Sequence, residues 1–321
     1  MHLGNGAITP ECAALTASVA ALGLGCAGAS VRREILSGRK LVAAGVYGAA
    51  IFAAQMINVP VLPYSSGHLV GGVLLAIALG PGLGALTMAV VLILQAVLLG
   101  DGGAAALGAN IINMALIPAA IVAWGNAWRR EDSSLAANSL RAGVQAAVAV
   151  LLAAGLIVLE VSLLRGPLAD FPLRAFAWQM LVAHVVIGLL EGLATGVLVY
   201  AARGNFIPDH LPAWRTRMAV TGGLMVALLA AIPVASGMPD GYEASAERSG
   251  WHNLLAEAPE ELVALGDINV LLASWQAQAS EQIAAWLPSE ILLALVTTLA
   301  AGVISAALAW ACSAQRQPLK P

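Results

Sequence analysis

The chain has 321 residues, 60% of them hydrophobic and only 10% charged, with a formal net charge of -3. Soluble domains carry roughly 25% charged residues, so this balance excludes a soluble globular protein and points to a polytopic membrane protein. The few basic residues form short clusters between apolar runs and no basic face, which argues against a nucleic-acid partner. Cys12, Cys26 and Cys312 lie too far apart in sequence to suggest a disulfide framework or a thiolate metal site.

The chain opens with Met1-His2-Leu3. The Met1 α-amine, the His2 backbone nitrogen and the His2 imidazole can close adjacent five- and six-membered rings around one ion. Three nitrogens then share a plane, and a fourth in-plane ligand would give the geometry that favours Ni(II) or Cu(II) over tetrahedral Zn(II). The chelate requires a free amine. Taken alone, these residues more often mean a start codon followed by a chance histidine.

Apolar segments follow at about 11–30, 41–57, 67–80, 83–100, 109–126, 140–162, 179–201, 218–236 and 289–311, most of them near the ~20 residues that cross a bilayer as helix. The expected fold is an all-α, polytopic membrane helix bundle of about nine transmembrane helices. The third segment is short and broken by Gly71, Gly72 and Gly80-Pro81-Gly82, the pattern of a partly re-entrant element. An odd count puts the termini on opposite sides. Arg32, Arg33, Arg39, Lys40, Arg129, Arg130, Arg141, Arg203, Arg215, Arg217, Arg316 and Lys320 fall on one side, and only Arg165, Arg174 and Arg248 on the other. The positive-inside rule then places the N-terminus outside and the C-terminus in the cytoplasm. The first span lacks a basic leader and carries its charges afterwards, so no cleaved signal peptide is expected and Met1 should remain.

Span one carries Ala13, Ala17, Ala21, Gly25 and Ala29 at i, i+4 spacing. Such a stripe permits close helix approach in lipid, either within the chain or as a docking face for another membrane subunit. His68, after the flexible run at the mouth of span three, is the candidate fourth nitrogen ligand, although a lone histidine is more often a hydrogen-bonded structural residue. Between spans four and five, Gln95, Asp101 and Asn110 are polar groups near membrane depth that could orient His2 or His68 by hydrogen bonding. Asp101 could equally be solvated in a turn made by Gly102 and Gly103.

MHLGNG at the N-terminus, GHLVGG at 67–72 and LQAVLLGDGGAAALGAN at 94–110, in that order, resemble the CbiM/NikM family. These are substrate-specific (S) membrane components of energy-coupling-factor (ECF) ABC transporters for cobalt and nickel. The resemblance covers most of residues 1–220. It implies metal ligation by the Met1 amine, both His2 nitrogens and His68, a multi-pass protein of the bacterial or archaeal cell membrane, and no enzymatic activity or resident cofactor, with Ni2+ or Co2+ as cargo. It also implies two kinds of partner, a CbiQ/NikQ-like transmembrane coupling subunit and a CbiO/NikO-like ATPase. The chain departs from the family at Leu3-Gly4-Asn5-Gly6, at Ser66-Gly67-His68-Leu69, where a Cys-Ser-His-Pro-like run is usual, and at Asp101, where a histidine is common. The shared ligands are intact.

Residues 1–217 then form the metal-capture domain and 218–321 a second module, two spans joined by an outer loop at 237–288. MPDGYEASAERSGW in that loop is similar to the PDGLE motif of the small CbiN/NikN partners, so the chain resembles a fusion of both. Glu243, Glu247, Glu257, Glu260, Glu261 and Asp267 make the loop acidic and able to concentrate cations, and His252 lies among them. The tail is expected to aid loading without supplying essential ligands.

His184 and Glu191 share a face of span seven, and Glu160 ends span six; a self-sufficient secondary metal carrier could use them as proton relays. No GxxxxGK[ST] loop is present to bind ATP, and no HExxH or GxSxG arrangement supports the alternative of a membrane enzyme.

Overall fold

The computed structural model describes residues 2–5, 7–34, 36–128, 133–163, 172–250, 268–286 and 290–314. Met1, His252, Glu257, Glu260, Glu261 and Asp267 lie outside the described residues.

Helix α1 (Pro10–Arg32) starts on Thr9, whose hydroxyl accepts from the Cys12 N–H, with Pro10 in the first turn where its missing donor costs nothing. Helix α2 (Gly38–Gln55) is capped in the same way by Ser37. The chain then forms an antiparallel hairpin, β1 (Val59–Leu62) and β2 (Ser65–Gly67), with Val59 opposite Gly67. The apolar periodicity gave no sign of strands here, because seven residues of Val, Pro, Leu, Ser and Gly carry too little alternation.

Helix α3 (Gly72–Leu79) stops at Gly80, whose φ of +90° turns the chain directly into α4 (Pro81–Leu94). The two lie so close that a Cβ on Gly84 would sit 2.6 Å from Ala76 Cα. Helix α4 continues through a π turn over Gln95–Leu99, and α5 (Leu107–Ile111) reaches α6 (Ile117–Ala127) through a second π turn at Ile112–Leu116. Long helices α7 (Leu135–Ser162) and α8 (Leu173–Ala201) follow, then α9 (Leu211–Ala231). The tail adds α10 (Gly241–Ser249), α11 (Ile268–Trp286) and α12 (Glu290–Ala314).

This is an all-α polytopic membrane protein. Among the described residues seven helices, against nine expected spans, are long and apolar enough to cross a bilayer. The two that fall short are α2, which opens on Arg39 and Lys40, and α3, whose eight residues reach only about 12 Å.

Glycines set the closest helix contacts. A Cβ on Gly143 of α7 would meet the Gly192 carbonyl of α8 at 2.7 Å, and one on Gly45 of α2 would meet the Gly302 carbonyl of α12 at 2.8 Å. The apolar core between them holds Phe52, Met88, Leu92, Met114, Phe176 and Met180. The stripe on α1 divides: Ala13 is buried, while Ala17, Ala21, Gly25 and Ala29 are exposed.

Candidate metal centre

The site forms where the N-terminal segment, the hairpin and the tail meet. Leu3 is fully buried and fixed by three backbone hydrogen bonds: its N–H donates to Asn110 Oδ1 (2.9 Å), and its carbonyl accepts from Asn110 Nδ2 (3.1 Å) and from the Gly103 N–H (2.7 Å). Asn110 thus acts on the backbone beside His2 and not on the imidazole itself. With Leu3 held, His2 points into a cavity of about 650 Å³ that it lines with His68, Asp101 and Asp240.

His68 follows β2 directly. Its position depends on Glu191, a buried carboxylate of α8 that accepts from the Val70 and Gly71 N–H groups at 2.8 Å each. Gly71 adopts a φ of +75°, which lets the backbone turn both donors toward the same carboxylate. The imidazoles of His2 and His68 stack with centroids 5.3 Å apart and planes 20° from parallel. His68 Nδ1 faces the Leu69 carbonyl at 3.2 Å; with Nδ1 as the donor there, the lone pair of the neutral ring lies on Nε2.

His2 Nδ1 lies 3.2 Å from Asp101 Oδ1, whereas the buried Nε2 has no hydrogen-bond partner among the described residues. Gln95 is fully buried beside His2, close enough to favour the protonated imidazole, although neither of its amide atoms has a well-formed hydrogen bond among the described residues. Of the three polar residues singled out in sequence, Asp101 therefore contacts the His2 ring, Gln95 lies against it, and Asn110 fixes the adjoining chain.

Burial lowers the pKa of His2, opposed in part by Asp101. His68 falls to about 4, mainly through burial and also through the charge on His2. Both imidazoles are consequently neutral near pH 7, the form that binds a metal.

The sequence reading missed Asp240. Ligand atoms of His2, His68 and Asp240 lie within 4.8 Å of one another. Asp240 is only 8% exposed and held below the ordinary carboxylate range: burial opposes its charge, but nearby positive charge and backbone donors outweigh that effect. Also missed was Gln276 of α11. Its Oε1 accepts from Asn5 Nδ2 and the Ala104 N–H, both at 2.8 Å, and its Nε2 donates to the carbonyls of Gly102 (2.8 Å) and Ala96 (3.0 Å). One tail residue thus ties the N-terminal segment to the loop beneath it.

The family model for CbiM, described as the cobalt uptake substrate-specific transmembrane region, matches residues 2–205. This chain belongs to the CbiM family. A putative fused nickel transport protein NikMN from Archaeoglobus fulgidus is 34% identical over 262 residues, spanning 80% of this chain and 81% of the relative. A fused nickel transport protein NikMN from Rhodobacter capsulatus is 27% identical over 229 residues, 66% of each chain. A crystal structure of a transition metal transporter aligns with a TM-score of 0.54 at 26% identity, over 65% of this chain and 95% of that one. The alignment with the Archaeoglobus relative is longer than the CbiM region itself, so the likeness extends into the tail.

Within this CbiM-family chain both oxygens of Glu191 hold the loop after His68, whereas Glu160 and His184 each use one polar atom: Glu160 Oε2 accepts from Asn113 Nδ2 at 3.0 Å and His184 Nδ1 faces the Met180 carbonyl at 2.7 Å, while Glu160 Oε1 and His184 Nε2 have no hydrogen-bond partner among the described residues.

Proposed function

We propose that this chain captures Ni2+ or Co2+ at the outer face of a bacterial or archaeal cell membrane, as the substrate-binding component of an ECF-type importer. The observation that carries the reading is the pair of neutral imidazoles, buried His2 and half-buried His68, stacked over a polar cavity at the chain's N-terminal segment. On this reading the Met1 amine, the His2 backbone nitrogen, which gives up its amide proton to solvent as the ion binds, His2 Nδ1 and His68 are the nitrogen ligands. The six-membered chelate ring requires Nδ1, the atom that faces Asp101 in the structure, so capture exchanges that carboxylate contact for the ion. Asp101 then orients the ring in the metal-free state.

The domain boundary proposed is 1–217 for capture and 218–321 for the CbiN/NikN-like module, with the N-terminus outside and the C-terminus cytoplasmic. Coupling energy comes from separate CbiQ/NikQ-like and CbiO/NikO-like subunits. The outward-facing Ala17, Ala21 and Gly25 offer the coupling subunit a close-packing surface. Ala17→Leu should then reduce uptake with metal binding intact, and unchanged uptake would leave the stripe without a docking role. The commitment of both Glu191 oxygens to the Val70 and Gly71 N–H groups favours this reading over a self-powered carrier that relays protons through Glu191.

The test is metal analysis of the purified full chain after growth with both ions. His2→Ala, His68→Ala or one residue added before Met1 should each weaken binding by at least about 10-fold. Tight binding by the extended chain would refute the amine chelate.

A further inference from the structure

We propose that Asp240, in the fused tail, is itself a ligand to the captured ion, so that the tail completes the metal site. The inference rests on the preceding reading of the chain as a nickel- or cobalt-binding protein. It goes further in giving the second module a bond to the cargo.

The position of Asp240 is built by the chain on either side of it. Before it, the tail runs along the hairpin that carries His68: the Ser236 N–H donates to the Asn58 carbonyl and the Ser66 N–H to the Pro239 carbonyl, both at 2.8 Å, and Ser66 Oγ donates to the Met238 carbonyl at 2.6 Å. After it, Gly241 settles against α8, where a Cβ would meet Ile187 at 2.7 Å and His184 at 2.8 Å. A side chain at 241 would therefore lift Asp240 away from the histidines.

The carboxylate also starts α10. Its Oδ1 accepts from the Tyr242 and Glu243 N–H groups at 2.8 Å each, and Glu243 accepts from the Asp240 N–H at 3.1 Å to close a capping box. A cap of this kind does not compete with metal binding, since a carboxylate can accept hydrogen bonds through one oxygen and ligate through the other. It also fixes the rotamer before the ion arrives.

Distance and charge both favour ligation. Metal–nitrogen and metal–oxygen bonds of about 2.0–2.2 Å put donors on opposite sides of an ion about 4 Å apart, so atoms within 4.8 Å need only a small closing movement. His2, only 7% exposed, presents its ring to this cavity with Nε2 unpartnered among the described residues, so no protein group already fills that side of the ring. Two neutral imidazoles bring no charge to a buried dication; the deprotonated His2 amide supplies one negative charge, and an anionic oxygen supplies the second in a pocket of low dielectric. A mixed nitrogen and carboxylate donor set suits a first-row divalent ion.

The test compares the purified full chain with Asp240→Asn, which keeps the size and N-capping ability of the side chain but removes its anionic oxygen. Ni2+ is titrated against a competing chelator, and the ligand-field absorption of the loaded protein is recorded. Asp240→Asn should bind at least about 10-fold more weakly with a shifted spectrum, while Glu243→Ala, which removes the acceptor for the Asp240 N–H and so the other half of the capping box, should leave both unchanged. Equal loss in Glu243→Ala would mean that Asp240 acts only by starting the helix. Unchanged affinity, or weaker affinity with an unaltered spectrum, would overturn ligation by Asp240. If Asp240→Asn fails to fold, Asp240→Ser, another good N-cap, carries the same comparison. Absence of Ni2+ and Co2+ from the wild-type protein would remove the functional reading itself. A loaded wild type, an empty His68→Ala and an unaffected Asp240→Asn would remove this inference alone.

Discussion

The tail meets the rest of the chain in two chemically different ways. Helix α12 lies close against α2, the Gly45 and Gly302 backbones approaching directly and Gly48 lying against the Ser305 side chain. Around the metal centre the tail uses polar contacts instead, through Ser66 with the Met238–Pro239 segment and through the four hydrogen bonds of Gln276. Close apolar packing in lipid is a permanent attachment, whereas hydrogen bonds at an aqueous cavity can be exchanged for water when the N-terminal segment moves. The fused module is thus anchored at one end and adjustable at the other.

The largest effect should come from breaking the anchor. Gly45→Leu places a side chain against the Gly302 carbonyl, and overpacking of this kind costs about 1–3 kcal/mol. Thermal unfolding in detergent should show that loss, and an unchanged midpoint would mean that α12 is not held at this contact. Gln276→Ala should act on capture with little effect on global unfolding. It removes all four hydrogen bonds from the loop under the N-terminal segment, and a loss of about 10-fold in Ni2+ affinity is expected. Equal affinity in a chelator competition would show that Gln276 does not position the site. The smallest change should follow Ser66→Ala, because the backbone bond from Ser66 to Pro239 persists when the hydroxyl is gone. A net loss near 1 kcal/mol should appear as faster proteolysis of the 236–250 segment, and an unaltered digestion rate would assign no holding role to this hydroxyl.

The meeting of His2 with His68 was legible because ring-closure chemistry requires particular atoms at the chain start and because both motifs resemble one family. Asp240 was not legible for two reasons. It lies 172 positions from His68, and an aspartate before Gly-Tyr-Glu has a sufficient local explanation as a helix cap. Gln276 looks like any polar residue of an amphipathic helix until the chain ends it joins are known. The apolar runs revealed the long helices, but α3 and the hairpin depend on tertiary support: eight residues of helix and seven of strand cannot sustain themselves locally. The i, i+4 stripe on α1 was legible as a pattern, yet spacing alone could not say that Ala13 turns inward while Ala17, Ala21 and Gly25 face out.

The bidentate grip of Glu191 on Val70 and Gly71 ties helix α8 to the backbone that follows His68. His68 lies just before those two N–H groups, so it must travel with α8. A slide of half a helical turn, about 2.7 Å, exceeds the roughly 2.0–2.1 Å length of a metal–imidazole bond. If His68 ligates the ion as proposed, movement of a single helix would be enough to withdraw it while Asn110 still holds the backbone at Leu3. A partner that shifted α8 would then loosen the ion without having to touch the site.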